Sequence, residues 1–122
     1  MGMNLKEFAE YVMRNIPSKR EFKAGGFYNE EGLQIEYFHK DAEYYGEWLD
    51  HFLTVLRAFV GDEIVGCVIQ FDKENPKYQE TIRENMLYLD EFIVSKITKY
   101  TGGNLDIYKQ VLEMVKDVKI QL

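Results

Sequence analysis

Two histidines stand among carboxylates in the middle of this 122-residue chain, as His39-x-Asp41 and Asp50-His51, with Glu43 and Glu47 between them. Imidazole and carboxylate are ligand types for a divalent ion, and the chemistry they suggest is metal-dependent hydrolysis by His39, Asp41, Asp50 and His51. Their spacing matches no strong metal motif, and an acidic chain readily places histidines beside solvated acids, so neither metal nor cofactor is expected. Asp50-His51 can also serve as orienter and base for a nucleophile, and Cys67 is the only thiol. Cys67 falls in an apolar run, however, where cysteine acts as a small hydrophobe and nothing nearby lowers its pKa. Gly25-Gly26 and Gly102-Gly103 lack the lysine and the strand-to-helix context of a phosphate cradle and read as turns. No catalytic residue is assigned.

Binding is better represented than catalysis. Nine aromatic residues lie between Phe27 and Phe59, and the same region carries most of the charge: residues 26–72 hold two bases against ten acids, whereas residues 73–122 hold eight of each. A phosphate backbone is repelled by such a segment, which argues against nucleic acid as a partner. Tyrosine and tryptophan rimmed by carboxylates are the composition of a protein-docking surface, and Glu43, Tyr44, Tyr45, Glu47, Trp48 and Asp50 are its candidate residues. The expected function is a non-catalytic binding or regulatory module engaging a protein partner of basic character. An inhibitor or immunity-type protein fits that description. The alternative is a small-ligand domain for a nucleotide or metabolite, enzymatic or not, with Arg57 as anion anchor and Tyr28 and Tyr37 as walls of a pocket between sheet and helices.

These residues need elements to position them. Leu5, Phe8, Ala9, Val12, Met13 and Ile16 recur at helical intervals, with Asn4 as cap and Pro17 as terminator, so residues 4–16 are expected to form a helix. Phe27-Tyr28 and Leu33 to Phe38 flank Asn29-Glu30-Glu31-Gly32 and read as a hairpin in which Gly32 supplies a positive φ. Leu53 to Val60 and Ile64 to Phe71 read as a second hairpin about Gly61-Asp62-Glu63. In its last strand Val65, Cys67, Ile69 and Phe71 share one face, Ile64 and Val68 the other, and Gly66 permits close backbone approach. Residues 39–51 have helical spacing in Tyr44, Tyr45 and Trp48 and are expected to form a short helical or irregular bridge. From Asn75-Pro76 to Gly102-Gly103 the stripe Ile82, Met86, Leu89, Ile93, Ile97 predicts one helix of roughly 37 Å, long enough to overhang the domain and offer a homodimer contact. Asn104 then opens a last helix whose stripe runs to Val118, with Asp106 and Lys116 at ends favoured by the helix dipole.

Four segments in this region carry a resemblance: Gly26-Phe27-Tyr28-Asn29-Glu30-Glu31-Gly32, Tyr44-Tyr45-Gly46-Glu47, Leu53-Thr54-Val55-Leu56-Arg57 and Glu63-Ile64-Val65-Gly66-Cys67-Val68-Ile69. Together they resemble a group of small bacterial domains of unknown function. That group's pattern is a Gly-Tyr-Asn-x-x-Gly hairpin followed by an Ile-Val-Gly-x-x-Ile strand. The resemblance covers residues 25–71, implies a small antiparallel sheet backed by helices, and implies no activity and no functional residues.

The expected architecture is therefore a single α+β domain over residues 1–122: a four-stranded, mainly antiparallel sheet of two hairpins, with an N-terminal helix and two C-terminal helices packed on it. The opening residues lack the basic start and apolar run of a secretory signal, no stretch reaches membrane-spanning length, and the single cysteine suits a reducing compartment. A cytoplasmic location without membrane association is expected.

Overall fold

The computed structural model describes residues 4–7, 22–100 and 104–122. Asn4 Oδ1 accepts the Glu7 N–H at 2.8 Å, the bond expected of a cap. The rest of the helix expected over 4–16, and its terminator Pro17, lie outside the described residues.

The class is α+β, and the sheet is larger than expected. Five strands, β1 (Gly25–Asn29), β2 (Gln34–Phe38), β3 (Tyr44–Trp48), β4 (Leu53–Ala58) and β5 (Ile64–Gln70), form one antiparallel sheet in the order β1-β2-β5-β4-β3. The chain leaves β2 in the sheet interior and re-enters at the far edge, crossing the end of the β4–β5 hairpin with residues 39–43. Three strand spacings are about 14 Å, and the six peptide steps from Phe38 to Tyr44 reach about 20 Å, so this short bridge suffices. His39 and Lys40 both donate their N–H to the Val65 carbonyl on the way, at 2.7 and 3.3 Å.

The region expected as a helical bridge thus contains a strand, β3. Its pairing with β4 runs Tyr44 to Ala58, Gly46 to Leu56 and Trp48 to Thr54, and its exposure alternates. Three aromatic residues and a glycine in five positions suit a pleated edge better than a helix, and tertiary pairing overrides the spacing that Tyr44, Tyr45 and Trp48 also share with a helix.

The inner face of the sheet is the core. Ile35, Tyr37, Leu53, Val55, Cys67 and Ile69 pack against two helices, α1 (Leu89–Tyr100) and α2 (Leu105–Met114), through Phe92, Ile93, Tyr108 and Val111. Phe71 and Phe92 meet edge to face at 5.1 Å between centroids, and Tyr78 stacks on Phe71 at 5.6 Å. Val65 does not share the face of Cys67 and Ile69 as alternation implies. Leu56 opposes Gly66 and Arg57 opposes Ile64, which leaves Val65 as the extra residue of a β-bulge. Beyond the bulge the faces exchange: Val65 joins Leu56 and Ala58 on the outer face, and Ile64 packs on the main core. Gly66 behaves as expected, since a Cβ there would come within 2.4 Å of the Tyr37 carbonyl oxygen. In the first hairpin the left-handed residue is Leu33 (φ 49°), not Gly32, whose N–H instead donates to Asn29 Oδ1 at 3.0 Å.

The single long helix expected from Asn75 is three elements. Asn75 does act as a cap, its Oδ1 accepting the Lys77 N–H at 3.0 Å, but only a 3-10 turn follows, Pro76–Thr81, which sets Tyr78 on the Phe71 and Phe92 rings. Next come β6 (Ile82–Arg83) and β7 (Met86–Tyr88), joined by Glu84 and Asn85 at φ 53° and 62°, the two-residue turn whose twist matches a hairpin. The spacing of Ile82, Met86 and Leu89 fits a helix and this hairpin alike, and the left-handed Glu84-Asn85 pair decides between them. Among the described residues the α-helical part of this stretch is the 12-residue Leu89–Tyr100, too short to overhang as expected. Likewise α2 ends at Met114, Asn104 makes no side-chain capping bond, and Lys116 lies in the turn leading to β8 (Lys119–Gln121). β6, β7 and β8 form a second, three-stranded sheet, and Ile120 is buried beside Gly26 of β1. Among the described residues no helix is long and apolar enough to cross a membrane.

One carboxylate ties the far edge to the helices. Asp50 Oδ1 accepts the N–H groups of Phe52 and Leu53, each at 2.8 Å, and its Oδ2 accepts the hydroxyl of the fully buried Tyr108 at 2.6 Å. Asp50→Ala is expected to cost about 2–3 kcal/mol, because three donors lose a charged acceptor, whereas Asp50→Asn keeps an oxygen for the amides and costs less. Urea unfolding followed by far-UV circular dichroism measures both.

Candidate functional site

A strand at a sheet edge satisfies only half of its backbone polar groups within the sheet. On β3 the halves can be assigned. Phe59 donates to the Glu43 carbonyl at 3.0 Å and Leu49 donates to the Leu53 carbonyl at 3.0 Å, so the odd-numbered residues 43, 45, 47 and 49 form the hydrogen-bonded pairs with β4. The N–H and C=O groups of Tyr44, Gly46 and Trp48 therefore point away from the sheet.

The side chains follow the same alternation. Tyr45 and Glu47 lie on the inner side with Arg57, which donates from Nε to Glu47 Oε2 at 2.7 Å and from Nη1 to the Asp62 carbonyl at 2.9 Å. The Tyr45 hydroxyl donates to Asp62 Oδ1 at 2.7 Å, which raises the tyrosine pKa because the bond requires the proton. Tyr44 and Trp48 lie on the outer side, 44% and 64% exposed. Tyr44 is 5.7 Å from Phe38, and Trp48 meets His51 edge to face at 5.4 Å. Between them Gly46 leaves the strand bare apart from the Thr54 methyl. The outer face continues inward over the half-buried Phe38 and Val68 to a second buried cluster of Leu56, Ala58 and Val65.

The expected docking residues thus divide. Tyr44 and Trp48 present rings to solvent, and Glu43 stands at the head of the strand with its side chain exposed. Tyr45 and Glu47 brace the strand against Arg57 and the β4–β5 turn. Asp50 holds the following loop, as described above. Phe38, Thr54 and Val68, each half-buried, belong to the same outer face and were not legible in the sequence, because that face is defined only when β2, β5, β4 and β3 are ordered side by side.

The ligand-pocket residues do not converge. Tyr28 is on β1 and Arg57 on β4, with β2 and β5 between them. The Tyr28 hydroxyl accepts the Lys73 N–H at 3.3 Å, and Tyr37 is buried with its hydroxyl 3.2 Å from His39 Nδ1. Burial raises the Tyr37 pKa. A cleft of about 360 Å³ lies instead beneath the bridge, between Lys40, Ala42 and Glu43 on one side and Phe59, Val60 and Val65 on the other. His39, Asp41, Asp50 and His51 are dispersed as well: His39 turns to Tyr37, His51 to Trp48 and Asp50 to Tyr108. Among the described residues no three of His, Cys, Asp and Glu form a metal-holding group.

Cys67 is fully buried in β5, and burial pushes its thiol up to about 12. A thiol held neutral is a poor nucleophile. It is expected to react with a disulfide reagent only at the rate of unfolding, and completely in denaturant. Because the folded-state pKa is raised, the contribution of Cys67 to stability is full below its ordinary value near 9 and is lost as the pH climbs towards about 12. Denaturation midpoints of the wild type and Cys67→Ala across that range measure the difference.

Comparison of the chain with protein-family models, curated proteins and solved structures finds no match in any of the three.

Proposed function

We propose that this chain is a non-catalytic binding module that engages a basic protein partner through the outer face around β3. The observation that carries the reading is the pair Tyr44 and Trp48, exposed on the same face of an edge strand on either side of Gly46, in the acidic middle of the chain. Large rings of this kind supply most of the binding energy in protein interfaces when a partner dries them, and surrounding carboxylates select a partner of opposite charge. Asp41 and Glu43 at the approach to the strand and Glu36 on the outer face provide that charge. An inhibitor or immunity-type role, in which such a surface covers a basic toxin or nuclease, fits these features. The single buried cysteine suits action in a reducing cytoplasm. The small-ligand reading has weaker support, because its anion anchor, Arg57, is already engaged by Glu47 and by the Asp62 carbonyl.

Affinity capture with the native chain, followed by mass spectrometry, should return a basic protein. The variant Tyr44→Ala with Trp48→Ala should then bind it at least tenfold more weakly, and Glu43→Lys should weaken binding most at low salt. Unchanged affinity in all of these folded variants would reject the surface.

A further inference from the structure

The outward half of β3 is complementary to itself, and this stands apart from the partner reading. Natural edge strands are usually guarded by lysine, proline, a bulge or a covering segment. Residues 44–48 contain none of the first three, their one charge, Glu47, is turned to Arg57, and no described residue pairs with the outer side of the strand. The other edge of the sheet differs, because β1 is flanked by β8, with Ile120 against Gly26.

We infer that β3 pairs antiparallel with β3 of a second copy, about a two-fold axis through Gly46. In this register Gly46 faces Gly46 of the second copy and Tyr44 faces Trp48. The outward N–H and C=O groups then meet in three hydrogen-bonded pairs, since Tyr44, Gly46 and Trp48 are the residues that direct these groups away from β4. A shift by one residue would set outward groups against inward ones and lose the bonds. Charge agrees with the same register: Glu47 falls opposite Tyr45 and Glu43 opposite Leu49, so no carboxylate meets its copy. On the outer face each Tyr44 lies across from a Trp48, an aromatic cross-strand pair at both ends, and the bare Gly46 keeps the axis free of side chains. The product is a continuous ten-stranded sheet whose two outer faces form one surface.

A five-residue edge is a small interface, so the dimer should assemble at ~100 µM and dissociate on dilution. Sedimentation velocity of the full chain across that range tests it, with circular dichroism verifying the fold of each variant. The wild type should shift towards twice the 14.5 kDa monomer mass as concentration rises. Gly46→Pro removes only an outward N–H, so it should leave the β3–β4 ladder intact and abolish the shift. Tyr44→Glu with Trp48→Glu places like charges across both ends and should also give monomer, whereas Tyr44→Lys with Trp48→Glu places opposite charges there and should restore the dimer. A wild type that stays monomeric, or a glutamate pair that dimerises as well as the lysine–glutamate pair, would overturn the proposal. Because self-association is read without any partner present, failure here is separate from failure of the proposed binding function.

Discussion

A peptide group at the rim of a sheet can turn only one way, and on β3 alternate residues turn inward to β4. That constraint organises this side of the molecule. The inward residues, Tyr45 and Glu47, carry their side chains to Arg57 and Asp62, so the hydrogen bonds of the ladder and those of the side chains brace the same edge. What remains, the backbone of Tyr44, Gly46 and Trp48 and two large rings, is directed outward together. The proposed binding follows from the geometry of pairing and needs no dedicated pocket.

The edge is held in place from the sheet centre. The bulge at Val65 exchanges the faces of β5 at its N-terminal end, sending Val65 outward to join Leu56 and Ala58 and Ile64 inward to the main core. The bridge from β2 to β3 crosses that satellite cluster and packs Ala42 on it. At the other end of β3, Asp50 collects two backbone amides and the Tyr108 hydroxyl, which couples the loop before β4 to helix α2. Both ends of the edge strand are thus fixed by contacts within the chain.

Much of this was legible in the sequence, and the exceptions have physical causes. The two hairpins, the buried Cys67, the close approach at Gly66 and the capping role of Asn75 are local or strictly alternating features, and each appears where residue type implies it. Asn75 failed to announce how short its helix is, because Ile82, Met86 and Leu89 satisfy a helix and a hairpin equally until Glu84 and Asn85 adopt positive φ. The strand at Tyr44–Trp48 was hidden for a similar reason: rings at positions 44, 45 and 48 fit one face of a helix, and only the neighbouring β4 makes them an edge. For the candidate site, residue types singled out the segment but could not separate Tyr44 and Trp48, which face solvent, from Glu47 and Asp50, whose carboxylates are consumed within the fold.

Residue-resolved hydrogen exchange in dilute solution reads the division of inward and outward amides along β3 directly. Tyr45, Glu47 and Leu49 should exchange slowly and Tyr44, Gly46 and Trp48 quickly, in strict alternation. Uniform protection across these six residues, or uniform rapid exchange, would contradict it.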